Sequence, residues 1–167
     1  MSGISCHTLA PGRYEARLVV REGRLGQIGS ASVWHEIPDT HGAGLALSSV
    51  FLSKPSAGGA AKLEVAQPTR RFPRGTDLYY GLHVFNPRRA EDGSTEVIVQ
   101  SQIRRGDALQ GVSPVEPVRF AADTSTGPVR GRISLEGLAA GAYELRIIAV
   151  DKKAGTQAER RLDFSVE

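Results

Sequence analysis

Residues 138–167 read LAAGAYELRIIAVDKKAGTQAERRLDFSVE, and the alternation in this stretch decides the fold. Tyr143, Leu145, Ile147 and Ala149 fall on one face, with Glu144, Arg146 and Ile148 on the other. A period of two is the mark of a strand with one face in a core. Asp151–Gly155 (DKKAG) is a polar connection that ends in glycine, as a hairpin loop closing on a left-handed residue requires. Leu162, Phe164 and Val166 then alternate with Arg161, Asp163 and Ser165. The return strand therefore offers the same kind of face, and the stretch is a β-hairpin.

A diverged copy lies 129 residues upstream, at residues 9–38. Leu9, Ala10, Gly12, Tyr14, Glu15, Arg17 and Gly26 are identical to Leu138, Ala139, Gly141, Tyr143, Glu144, Arg146 and Gly155. Tyr14, Ala16, Leu18 and Val20 form the inward face of the first strand; Val33, His35 and Ile37 take the places of Leu162, Phe164 and Val166, and Trp34 points the other way. Self-similarity on this scale implies two related supersecondary units. Residues 1–40 are then the terminal hairpin of a preceding or partial β-sandwich unit, and residues 41–167 a sandwich of their own. The boundary falls in Pro38–Gly44, which has no periodicity and two glycines.

Between the hairpins the pattern stays β. Residues 45–53 (LALSSVFLS) read as a first strand, residues 62–66 as a short one, and residues 67–75 as a turn rich in arginine and proline. Residues 76–85 are a strong strand, with Leu78, Tyr80, Leu82 and Val84 facing one way and Tyr79, His83 and Phe85 the other. Residues 95–104 alternate through Val97, Val99, Ser101 and Ile103, residues 105–111 turn, residues 115–120 form a strand broken by Pro117, and residues 130–135 lead into the last hairpin. About seven short strands at this spacing predict an all-β fold, an immunoglobulin-like antiparallel sandwich preceded by a partial β-unit. The run Leu135-x-x-Leu138-x-x-Gly141-x-Tyr143 resembles the corner before the penultimate strand of such sandwiches, where a tyrosine bonds back to the upstream backbone. Tyr143 is the predicted structural corner.

Composition sets the outer bounds. The 167 residues contain 19 glycines and nine prolines and have short apolar runs, which favours many turns. No window reaches the roughly 18 apolar residues of a membrane-spanning helix. The first residues lack the basic segment and apolar core of a signal peptide. One cysteine, Cys6, excludes an intrachain disulfide and a multi-cysteine metal site. The formal charge of +3, with acidic and basic residues interspersed, argues against a nucleic-acid partner.

Four segments taken together, PGRYEARLVVRE (11–22), GQIGSASVWHEIPD (26–39), LALSSVFLS (45–53) and RRFPRGTDLYYGLHVFN (70–86), resemble the C-terminal β-rich region of VWFA-related bacterial proteins. In that family a von Willebrand type A-like domain precedes β-rich segments. The type A domain itself, with its Asp-x-Ser-x-Ser metal motif, has no counterpart here; the nearest run, Asp123–Gly127, ends in glycine and reads as a turn. The resemblance implies an exported protein of interaction type, extracellular or in the periplasm or cell envelope.

No motif with a chemical mechanism emerges. His7, His35, His41 and His83 show no paired ligand spacing, and no nucleophile elbow or phosphate-cradling glycine loop occurs. The expectation is a protein that is not an enzyme and has no cofactor, metal or catalytic residues. Arg70, Arg71, Arg74, Arg88, Arg89, Arg104 and Arg105 sit in or beside turns, where they keep a surface soluble or form a basic rim. Trp34, Tyr79 and Phe85 are predicted outside the core, and such aromatics mark a protein interface or a sugar platform. The interface candidates are Tyr14, Leu18, Trp34, Tyr79 and Phe85. The main reading is a structural or interaction module that buries surface against a protein partner or a second copy, with strand addition at the unpaired hairpin edges. The alternative is a carbohydrate-binding module with Trp34 or Tyr79 on a sugar ring.

Overall fold

The computed structural model describes residues 9–37, 39–40, 42, 44–53, 70–122 and 124–167. Cys6, His7, His41, the short strand expected at 62–66 and Asp123 lie outside them. The chain divides into two compact units, Met1–Asp39 and Thr40–Glu167.

The described residues form strands joined by turns, and the fold is all-β with antiparallel sheets that pack as a sandwich. In chain order the strands are β1 (Gly12–Arg21), β2 (Ile28–Ile37), β3 (Ala46–Leu47), β4 (Phe51–Ser53), β5 (Arg71–Phe72), β6 (Asp77–Phe85), β7 (Val97–Arg105), β8 (Ala108–Val112), β9 (Glu116–Pro117), β10 (Thr126–Ser134), β11 (Gly141–Asp151) and β12 (Thr156–Val166). The first unit is the β1–β2 ribbon. In the second, one sheet has the order β10-β6-β3, with β4 also on β6; the other runs β5-β12-β11-β7-β8, with β9 also on β7.

The core of the second unit lies between these two sheets. Leu78, Tyr80, Leu82 and Val84 of β6 are buried, as are Val97, Val99 and Ile103 of β7 and Tyr143, Leu145, Ile147 and Ala149 of β11. These are the period-two faces of the sequence. An aromatic cluster closes one end: Phe72 meets Phe164 edge-on at 6.1 Å, and Phe164 stacks on Tyr143 at 5.7 Å. On β10, Gly131 lies opposite Tyr80. A Cβ built there would fall 2.2 Å from the Tyr80 ring, so the bare backbone is what lets the ring lie across the strand. Burial pushes the Tyr80 hydroxyl pKa up; the neighbouring Ser101 side chain opposes this, and the Glu116 charge adds to it.

The structure corrects four local expectations. The first strand of the sandwich is split into β3 and β4, which pair with β6 on either side of a break. In the break the Ser48 hydroxyl accepts the His83 amide at 2.9 Å. The turn expected at 67–75 contains β5, two residues paired in parallel with the end of β12, and its Phe72 is fully buried. The turn expected at 105–111 is only Gly106-Asp107, after which β8 returns along β7. Pro117 belongs to a short strand rather than breaking one, because β9 lies on the edge of its sheet and needs no second ladder.

Candidate functional site: an uncovered hairpin

The two hairpins have one geometry. Every pair of the first, from Gly12↔Ile37 to Arg21↔Ile28, becomes a pair of the second when 129 is added to both numbers, from Gly141↔Val166 to Val150↔Gln157. The Tyr143 hydroxyl donates to the Ala139 carbonyl at 2.7 Å, and the Tyr14 hydroxyl to the Ala10 carbonyl at 2.9 Å. Both loops are held by an acid at the same position. Asp151 Oδ1 accepts the amides of Lys153 and Ala154 at 3.0 and 3.1 Å, and the Glu22 carboxylate accepts those of Arg24 and Leu25. Both loops close on a left-handed glycine, Gly26 at φ +66° and Gly155 at φ +64°, a conformation that costs a side-chain-bearing residue energy.

What differs is the cover. In the second hairpin the apolar face is core, with Leu145 and Ile147 fully buried. In the first, Leu18 and Val33 are 66% and 63% exposed, and Val20 58%. Among the described residues no third strand of that unit pairs with it, and Tyr14, Ala16, Leu18, Val20 and Val33 share one largely exposed apolar face. On the opposite face the Arg13 guanidinium lies 4.9 Å over the Trp34 ring, and Trp34 is 57% exposed.

The five interface candidates thus divide between units. Tyr14 and Leu18 share one face of the hairpin, and Trp34 lies on the other. Tyr79 and Phe85 stand on β6, half-buried on the side away from the core. Sequence reading overlooked the acids Glu22 and Asp151, although their shared offset from the repeat was available as a signal. Asp151 is buried, and its Oδ2 also accepts the Arg88 amide at 2.6 Å, fastening the 86–89 turn to the last hairpin.

A single basic rim does not form. Arg89 donates to the carbonyls of Gly93, Ala121 and Thr124, and so ties loops together. The Arg105 guanidinium packs 5.7 Å over the Tyr143 ring, towards the opposite end of β11 from Asp151, about 27 Å away along the strand. Among the described residues of the second unit, hollows of 140, 290 and 450 Å³ open at the surface. The first two share Ser113, Pro114 and Arg132 beside β10; the third is lined by Asn86, Arg88 and Asp151. Among the described residues no group of three or more His, Cys, Asp or Glu is placed to hold a metal ion, and no helix is long and apolar enough to cross a membrane.

No protein-family model matches the chain, and no curated protein matches it. The described geometry is therefore the ground for a functional reading.

Proposed function

We propose that this chain is a non-enzymatic structural or interaction module whose working surface is the β1–β2 hairpin. The observation that carries the reading is the contrast between twins. One register and one bend are built twice, and the apolar face that is core in the second unit is uncovered in the first. An apolar ribbon face of this kind is stabilised by removal from water, at about 25 cal/mol per Å², and an isolated two-stranded hairpin is at best marginally stable. The hairpin is thus a surface that gains order by contact. Strand edges that have no ladder partner among the described residues would supply the directional part of recognition through main-chain hydrogen bonds. An exported or envelope setting is part of the same proposal.

Light scattering in line with size exclusion tests the reading. The expected result is weak, concentration-dependent self-association through the apolar face, abolished by Leu18→Asp or Tyr14→Asp. A monomer at every concentration, with the variants indistinguishable from the parent, overturns it. In the glycan reading Trp34 is the platform, and retention on a polysaccharide column that is lost in Trp34→Ala decides for it. Arg13 already covers one face of that ring, so the protein reading is preferred.

A further inference from the structure

We infer that the second unit carries a peptide-binding cleft along the outer edge of β10. Its occupant is an extended segment of another polypeptide, paired antiparallel with residues 130–134. That segment places a hydroxyl-bearing side chain over Ser101 and an acidic one opposite Arg130. The cleft is separate from the hairpin of the first unit and goes beyond the reading given for it.

The cleft follows from unequal sheets. One is five strands wide, β5-β12-β11-β7-β8, and the other three, β10-β6-β3. They are tied at β12, whose Arg160 Nε donates to the Leu47 carbonyl of β3 at 3.2 Å. Counting strands from that tie sets β6 over β11 and β10 over β7, so β8 and β9 extend past β10 by one strand, about 5 Å. The hollows of 140 and 290 Å³ lie in this overhang, between residues 128–134 and residues 110–118. Gly111, opposite Ile103, offers no side chain to fill the larger one. A stretch of β10 this long measures roughly 20 Å, which suits a strand rather than a compact ligand.

The main chain of β10 is set to pair there. The Asn86 amide donates to the Ser125 carbonyl, and the Leu135 amide to the Thr76 carbonyl. Bonded pairs alternate along an antiparallel ladder, so the odd-numbered residues of β10 bond to β6. Arg130 and Arg132 therefore point their N–H and C=O groups away from it, into the cleft. Pro128 occupies another such outward position, where its missing N–H costs the ladder nothing. It also ends the bondable edge, so that pairing starts at Arg130.

Two side chains specify the occupant. Ser101 is fully buried and lines the larger hollow, and its hydroxyl has no hydrogen-bond partner among the described residues. A buried hydroxyl without a partner is unfavourable. An added residue opposite Ile133 turns its side chain toward this hollow, where a hydroxyl satisfies Ser101. Three residues on, alternation turns the side chain outward beside Arg130. Arg132 has Asp77 at 3.4 Å, but Arg130 faces Gly81 across the ladder and gains no charge from it. An acid on the added strand supplies one. A second copy pairing through its own β10 would instead set arginines against arginines, which is unfavourable.

The test uses the full chain and a short synthetic peptide, acetyl-Thr-Thr-Thr-Ala-Glu-Val-Thr-amide, whose second threonine falls opposite Ile133 and whose glutamate falls opposite Arg130. Amide exchange is followed by NMR. At millimolar peptide, the Arg130 and Arg132 amides should exchange more slowly, by about tenfold. Those of Gly131 and Ile133, already bonded to β6, should change little. Arg130→Glu should weaken binding by roughly threefold, and a peptide with lysine for glutamate should restore it. Valine in place of the second threonine keeps the shape, removes the hydroxyl and should also weaken binding. No slowing at Arg130 and Arg132, or equal slowing by a peptide N-methylated on its edge-facing amides, overturns the inference. So does a valine peptide that binds as tightly, or an Arg130→Glu chain that binds both charge forms alike. Slowing reproduced by raising the chain's own concentration assigns the edge to a second copy and also overturns it. Because the peptide is read on the second unit, failure here leaves the light-scattering test of the hairpin to be judged by itself.

Discussion

At the scale of single residues, the twinned hairpins supply their own controls. Tyr143 is buried and its hydroxyl bond closes a corner in the core, whereas Tyr14 makes the same bond while half-exposed. Losing a buried hydroxyl that leaves its carbonyl partner unpaired costs about 1–2 kcal/mol, and less where water can replace it. Tyr143→Phe is therefore expected to lower the unfolding free energy of the chain by about that amount, and Tyr14→Phe by a few tenths of it, measured by urea denaturation. Gly131 makes a second residue-scale case. With no room for a Cβ under the Tyr80 ring, Gly131→Ala should cost about 2 kcal/mol by overpacking. The same change in a Tyr80→Ala background should cost much less, since the ring that clashes is gone. Glu159 supplies the pH prediction. The Arg146 guanidinium holds its carboxyl below the usual range, partial burial opposes this, and Arg161 adds to it. A carboxyl depressed on folding contributes stability that is present above its unfolded pKa and lost as pH falls through its folded one. Because the pair is about one-third exposed, the effect is a few tenths of a kcal/mol. Stability curves of the parent and Glu159→Gln should accordingly converge as the solution is acidified below pH of about 4.

At the scale of elements, the acid-held loops explain why the hairpins keep their register. Asp151 accepts three amides from a buried position, two in its own loop and one in the 86–89 turn. Charge-assisted bonds of this kind are worth about 1.5–3 kcal/mol. Asp151→Ala should therefore destabilise the second unit by about 3 kcal/mol in thermal or urea unfolding. Glu22→Ala should fray only the end of the first hairpin, visible as faster amide exchange at Arg24 and Leu25. How much could be read from sequence also divides by element. The long strands β6, β7, β11 and β12 were legible, because one buried face imposes a period of two over nine residues or more. The same alternation put Tyr14, Leu18 and Val20 on one face of β1. The short strands escaped notice for a physical reason. β5 is two residues long, pairs in parallel, and owes its existence to Phe72 filling the end of the core, a tertiary demand that leaves no local pattern. β3 and β4 read as one strand because the break between them is made by a long-range bond from the His83 amide to Ser48. The arginines were visible but their roles were not, since a guanidinium that stitches loops and one that faces solvent look alike in a sequence.

At the scale of the whole molecule, two units with one hairpin geometry should differ in how firmly they hold it. The β1–β2 ladder is largely exposed among the described residues, whereas the β11–β12 ladder lies in a packed sheet. Amides of β1 and β2 should therefore exchange by local opening, while those of β11 and β12 wait for opening of the second unit as a whole. Hydrogen exchange followed by mass spectrometry checks this, and equal protection at positions 129 apart would falsify it.

The spacing of the twins also has a consequence for synthesis. Residues 9–37 leave the ribosome 129 positions before their counterparts, which at about 5–20 residues per second is a head start of roughly 6–26 s. During that interval β6 and β7 are made, and the seat beside β7 awaits a hairpin that does not yet exist. The nascent chain already holds a hairpin of the same register and bend, so the two copies of one geometry are never made at the same moment.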